Sequence, residues 1–257
     1  MAAGAWYLRW RPRATYKHAR RCAILSGGIR VQDRRAGNAM QIVSFGDVHM
    51  ATRNLARMDA VMRDTDVVIV SGDLTNFGGP DDAAKVIDAV RRACGRVLAL
   101  PGNLDQREVT PWLEAQGIAI HGRGVVIEGV AIFGCGGSNI TPFNTPTELT
   151  EDEIYATLMR GYNEVRDVRP LLMVCHTPPF ATRCDRIAGG RAVGSTAARR
   201  FIEEIKPEVC LSGHIHESAA VDTIGPTTIV NAGPFKDGGY IIVHAAQGKL
   251  EARLEFL

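Results

Sequence analysis

No stretch of this sequence approaches the roughly 18 consecutive apolar residues a membrane-spanning helix needs, so nothing in it asks for a bilayer. Its six cysteines, at positions 22, 94, 135, 175, 184 and 210, include no C-x-x-C pair. Several lie in or beside apolar runs, as Cys175 does after Leu171–Val174, and they read as buried reduced thiols of a cytoplasmic protein. No internal repeat is visible. Residues 1–39 nearly lack acid, with eight Arg and one Lys against Asp33 alone. They also lack the apolar core of a secretory signal, and Ser26 is their only serine, which fits a transit peptide poorly. A polybasic arm for RNA or an anionic membrane is a further reading. The reading preferred is a disordered, dispensable extension, with the functional protein starting at Met40.

What remains, residues 40–257, has the length of one domain. The chain is 46% apolar and 23% charged, which a globular fold needs and disorder does not supply. The total charge of +2 divides into +8 before Met40 and −6 after it. An acidic body reads against a nucleic-acid partner. A small-molecule partner is expected instead, and a homo-oligomer is left open.

From Met40 strand and helix signals alternate. Ile42–Phe45, Val67–Val70, Val97–Leu100, Leu171–Cys175 and Val209–Leu211 are short apolar runs of the kind buried on both faces. Between them the spacing predicts helices over 54–63, from Pro80 to Ala93, and from Pro111 to Gln116 with Thr110 as cap and Gly117 as stop. Thr150 and Glu153 form a capping box for a helix over 151–161, and Ser195 or Thr196 opens another that ends before Pro207. Glu128-Gly129 is a hairpin turn, while 134–147 and 177–195 are loops. Four strand signals close the chain. The expected fold class is α/β, a four-layer α-β-β-α sandwich of two mixed sheets with helices outside.

Five motifs follow strands: Gly46-Asp47-Val48-His49, Gly72-Asp73, Gly102-Asn103-Leu104-Asp105, His176, and Gly213-His214-Ile215-His216. Strand carboxyl ends are where α/β sheets collect ligand-binding residues. Hard oxygens from Asp and Asn beside imidazole nitrogens suit Mn, Fe or Zn, with Ni and Co also accommodated. Two cations about 3.5–4 Å apart need a ligand that touches both, and the two oxygens of Asp73 make it the natural bridge. Alternation along an extended segment would put Asp47 and His49 on one side, and likewise His214 and His216. Each of these residues alone reads as turn chemistry; together they read as a metal site. Asn139, Arg183 and Arg191, in the two loops, are the candidates for holding the far end of a substrate. His121 and His244 read as ordinary residues.

In order and spacing the motifs resemble those of the calcineurin-like metallophosphoesterases. Gly136-Gly137-Ser138-Asn139, Thr141-Pro142-Phe143, His176-Thr177-Pro178-Pro179 and Asn231-Ala232-Gly233-Pro234 narrow the likeness to the Icc-related phosphoesterases. The resemblance implies two divalent metal ions, Mn foremost. Asp47, His49, Asp73 and His216 would hold one; Asp73, Asn103, His176 and His214 would hold the other. It also implies hydrolysis of phosphodiester or phosphomonoester bonds by a metal-bridging hydroxide, with Asp73, Asn103, His176 and Asp105 as catalytic residues. Leu104 departs from the family pattern, which commonly has a His there to protonate the leaving group. A nuclease, or a scaffold that has lost catalysis, is the alternative.

Overall fold

The computed structural model describes residues 40–257, and the expectations placed on residues 1–39 lie outside them. The chain runs β1 (Met40–Phe45), a 3₁₀ turn over Thr52–Met58, α1 (Asp59–Arg63), β2 (Val67–Ser71), α2 (Pro80–Ala93), β3 (Val97–Leu100) and α3 (Val109–Ala115). It continues through β4 (Gly124–Ile127), β5 (Val130–Cys135), β6 (Ser138–Asn139), β7 (Glu148–Leu149), α4 (Glu151–Val165), β8 (Leu171–Cys175), α5 (Thr196–Ile205) and β9 (Val209–Ser212). β10 (Ala220–Ile224), β11 (Thr227–Asn231), β12 (Gly239–Ala246) and β13 (Lys249–Phe256) complete it.

Two mixed sheets carry the fold. One has the order β13-β12-β1-β2-β3, the other β10-β11-β9-β8-β5-β4. Strand alternation decides which residues fill which layer. Ile42, Val67, Ile69 and Leu100 of the first sheet meet Ile132, Leu172, Val174 and Leu211 of the second in the central layer. Their neighbours Val43, Phe45, Val68 and Val70 face α2 and α3 on the other side. Phe133, Met173 and Cys175 face α4 and α5. This is the expected four-layer sandwich of two mixed sheets with helices outside. Continuous Val/Ile/Leu runs are needed because strands covered on both faces have no solvent side.

Local chemistry sets most of the boundaries. Pro80 opens α2, with Asp81 and Asp82 in the first turn and Arg91 and Arg92 in the last, so both ends complement the helix dipole. The Thr150–Glu153 capping box is formed at α4, and Ser195 caps α5 by accepting the Ala198 N–H at 3.0 Å. Glu128 and Gly129 both take positive φ (48° and 81°), as a two-residue hairpin turn demands. α3 differs from expectation: it starts at Val109, so Thr110 lies inside it and caps nothing. The helical spacing over 54–63 is split, since its first half winds as 3₁₀. Among the described residues no helix is long and apolar enough to cross a membrane.

β1, β2 and β3 are mutually parallel, and so are β5, β8, β9 and β11. Parallel strands put their carboxyl ends at one edge of a sheet. The segments after β1, β2, β3, β8 and β9 therefore emerge together from the two sheets, and they are the segments that carry the five motifs.

Candidate metal centre

The donors converge, but not through extended backbone. Asp47, His49, Asp73 and His214 all have positive φ, between 45° and 67°. Non-glycine residues held there carry strain of order 1–3 kcal/mol each, which surrounding structure must offset. Here the sheets offset it. The Asp47 N–H donates to Gly72 O and the His49 N–H to Asp73 O, both at 3.0 Å, locking the turn after β1 onto the turn after β2. Left-handed turns, rather than strand alternation, bring Asp47 and His49 to one side. His216 likewise lies in a short 3₁₀ turn rather than an extended strand.

Asp47 is fully buried, and its carboxylate accepts the His214 N–H at 3.0 and 3.2 Å. His216 Nε2 lies 3.2 Å from Asp47 Oδ1 and 3.2 Å from His49 Nε2. Asp73 Oδ2 stands between two imidazoles, 3.9 Å from His49 Nε2 and 3.6 Å from His176 Nε2. Its Oδ1 is held by the Leu104 N–H at 2.8 Å. His176 Nδ1 donates to Ser71 O at 2.8 Å, which leaves Nε2 facing Asn103 Oδ1 at 3.3 Å. The His214 ring lies 5.4 Å from that of His176, centroid to centroid. Two donor trios result, Asp47/His49/His216 and Asp47/Asp73/His176, each with its ligand atoms within 4.8 Å of one another. The first trio contains three of the four residues in one implied set, without its Asp73; the second shares Asp73 and His176 with the other set and has Asp47 in place of Asn103 and His214.

The electrostatics favour cations here. Burial opposes charge on Asp47, yet the bond from His216 and the nearby His176 and His49 hold its carboxyl below the usual range. At His176 burial also opposes charge, but the Asp73 and then the Asp47 carboxylates outweigh it and raise the imidazole to about 9. The bond to Asp47 raises His216 in the same way. His214 goes the other way: burial and the charge of His176 lower it to about 4, so it is a neutral imidazole with a lone pair to give. His49 Nδ1 is buried without a partner among the described residues. His49 Nε2 faces His216 Nε2, and His176 Nε2 faces Asn103 Oδ1. A proton or a metal ion resolves either of these pairings of lone pairs. Seven donor residues, two carboxylates with one amide and four imidazoles, fit a pair of divalent cations.

The glycines serve close approach. A Cβ on Gly102 would overlap the Asp73 carboxylate, and one on Gly72, whose φ is +110°, would overlap the His176 ring. Asp105 has a different place from the metal donors. It is fully buried and accepts from Thr75 N and Thr75 Oγ1 (both 2.8 Å), Gly102 N (2.8 Å) and Leu74 N (3.1 Å). It buckles the turn that carries Asp73 to the turn that carries Asn103. Burial and the charge of Asp73 push its carboxyl up to about 7, against the pull of those donors.

Among the described residues no side-chain hydrogen bond joins the substrate-end candidates to the donors, although Asn139 bonds Thr177, the residue after His176. Asn139 spends its amide between loops, accepting from Thr177 Oγ1 at 2.8 Å and donating to Val193 O at 3.1 Å. Arg183 and Arg191 are exposed, and neither guanidinium bonds to a donor of the site. Sequence reasoning missed Thr145, whose hydroxyl lies 3.1 Å from Asn103 Nδ2, and Glu148 behind it. Their one signal is an acid closing a threonine-rich run, Thr141 to Thr147.

Two mixed sheets between helices, with carboxylates, imidazoles and an amide gathered at the ends of parallel strands, define a metallophosphoesterase. The chain belongs to the calcineurin-like phosphoesterases, whose family profile matches residues 40–218. The uncharacterized protein MJ1162 of Methanocaldococcus jannaschii is 36% identical to it over 205 residues, covering 76% of this chain and 88% of that one. Among solved structures, TT1561 of Thermus thermophilus matches with a TM-score of 0.63 at 16% identity, over 84% of this chain and 98% of that one. A dimetal phosphatase from Danio rerio matches with a TM-score of 0.52 at 9% identity, over 85% and 99% respectively. At such identities the structural matches speak for the fold.

Proposed function

We propose that this protein is a metal-dependent hydrolase of phosphate esters, with small phosphodiesters as its favoured substrates and Mn as its working metal. The observation that carries the reading is the position of Asp73, whose Oδ2 stands within 4 Å of both His49 Nε2 and His176 Nε2. One cation would be held by Asp47, His49, Asp73 and His216, and the other by Asp73, Asn103, His176 and His214. When bound, two such ions offset charge on the phosphoryl oxygens and lower the pKa of water.

The chain's own residues set the rest. His176 keeps its Nδ1 proton on Ser71 O, so Nε2 is the nitrogen that faces the site and would give its lone pair to a cation that displaces its proton. The Leu104 N–H fixes Asp73 Oδ1, so Asp73 Oδ2 is the oxygen left to be shared. The Leu104 side chain can neither donate nor accept a proton. A protonating side chain typically contributes about 10²–10⁴-fold, and it matters most for poor leaving groups. Aryl esters, whose leaving groups need little protonation, are therefore the substrates this site suits. The −6 charge of residues 40–257 supports small molecules over nucleic acid.

The test is hydrolysis of bis-p-nitrophenyl phosphate and p-nitrophenyl phosphate by metal-stripped protein with Mn restored, beside Asp73→Ala and His176→Ala. Mn-dependent turnover lost in both variants is expected, with the diester hydrolysed faster. Stoichiometric metal binding without turnover, across Mn, Fe, Zn, Ni and Co, would instead identify a scaffold.

A further inference from the structure

A metal ligand of the carboxamide type must turn its oxygen, not its NH₂, toward the cation. The two ends of a carboxamide have nearly the same shape, so something outside Asn103 must choose between them. The hydroxyl of Thr145 has a single hydrogen and lies 2.7 Å from Glu148 Oε1. An ionised carboxylate only accepts, so that hydrogen belongs to Glu148. Toward Asn103 Nδ2, 3.1 Å away, Thr145 Oγ1 is left with lone pairs alone. It can accept from an NH₂ group there but gives nothing to an oxygen. The amide is thus oriented with Nδ2 on Thr145 and Oδ1 on the side of His176 Nε2.

Glu148 is itself fixed. The same Oε1 accepts the Thr145 N–H at 2.9 Å and the Thr141 hydroxyl at 2.5 Å. Thr147 N donates to Asn103 O at 3.0 Å, which ties the same segment to the backbone of the ligand. A charged acceptor, a hydroxyl and an amide therefore form one directional chain that ends in the metal centre.

We infer that Thr145 and Glu148 are positioning residues: through the direction of the Thr145 hydroxyl they set which end of Asn103 faces the cation pair. The inference rests on the two-cation reading above. It explains why an acid 45 positions along the chain from Asn103 is held by three donors close to the site without touching it.

Calorimetric titration of the metal-stripped full chain with Mn²⁺ tests it, with the melting temperature of each metal-free variant alongside. Wild type is expected to bind two ions. Thr145→Val should weaken one site by about 10–100-fold, the range for groups that orient a metal ligand. Thr145→Ser, which keeps the hydroxyl, should retain wild-type affinity. Glu148→Gln offers Thr145 a donor in place of an acceptor and should weaken the same site. The decisive comparison is on the Asn103→Asp background. A carboxylate has an oxygen at each end, so orientation no longer matters, and Thr145 then opposes one of those oxygens. Adding Thr145→Val there should leave affinity unchanged or improve it. An equal loss on both backgrounds, or no loss on the wild-type background, overturns the relay. Wild type that binds none of Mn, Fe, Zn, Ni or Co overturns the two-cation reading itself.

Discussion

His176 Nδ1 lies 2.8 Å from the carbonyl oxygen of Ser71, and this bond joins the two sheets. His176 follows β8 of one sheet, and Ser71 ends β2 of the other. Asparagine can place an N–H where Nδ1 stands but has no donor at the place of Nε2. His176→Asn is therefore expected to keep the fold, with a melting temperature within about 3 °C of wild type. A metal contributes several kcal/mol of transition-state stabilisation, so turnover of bis-p-nitrophenyl phosphate should fall roughly 10³-fold. Elemental analysis should find one metal equivalent gone. Full metal occupancy and activity in this variant would remove His176 from the site.

Leu104 is half-buried next to Asn103, and only its backbone N–H is used by the site. Leu104→His should raise kcat for alkyl phosphodiesters by about tenfold or more and for aryl diesters by less than about threefold. Equal gains on both would mean that leaving-group protonation is not what Leu104 leaves out.

Gly102 has no room for a methyl group, because its Cβ would meet the Asp73 carboxylate. Gly102→Ala is expected to destabilise the metal-free protein by about 2 kcal/mol, the usual scale of overpacking. In a domain of this size that is roughly a 5 °C loss in melting temperature. An unchanged melting temperature would show that the turn after β3 gives way freely.

Acid should weaken the fold through His121. Burial, helped by the charge of Arg160, lowers this imidazole from 6.5 to about 4, and its Nδ1 accepts the Gly136 N–H at 3.0 Å. Below pH 6.5 the unfolded chain takes up a proton that the folded chain refuses until about pH 4. The unfolded state therefore binds more protons in that window, and stability falls as pH drops through it. Between about pH 7 and pH 5 the loss assigned to His121 is about 2 kcal/mol. His121→Asn keeps an acceptor for Gly136 and should shrink the difference between urea melts at those two pH values by that amount. The same pH dependence in both proteins would clear His121 of the role.

Much of this architecture was legible because local chemistry and global packing agree. The residues from Pro80 to Ala93 carry a helix start, a dipole-matched charge pattern and one apolar face, and α2 occupies them all. Val67–Val70 has no polar alternation, and β2 has no solvent-facing side. The identities of the donors were legible for a related reason: Asp, Asn and His after buried strands have few other uses in such number. Their geometry was not. Asp47 and His49 sit in left-handed turns, a conformation that short-range spacing does not announce and that contacts with Gly72 and Asp73 impose. Thr145 and Glu148 were invisible for the same reason. A hydroxyl 42 positions from Asn103 becomes its partner only after the loop between β6 and β7 is laid down.

The place of β1 has a consequence for how this protein is made. β1 is interior to its sheet, paired with β2 on one side and with β12 on the other, where Met40 is opposite Ala245. Asp47, at its end, is 169 positions before His216. As the chain leaves the ribosome, β1, the first strand among the described residues, waits with one edge unpaired until nearly the whole domain has followed. Until His216 has followed, the first trio of donors is one imidazole short. The donor set is thus completed late in synthesis, and a chain arrested before the hairpin of β12 and β13 would present an open strand edge to its neighbours.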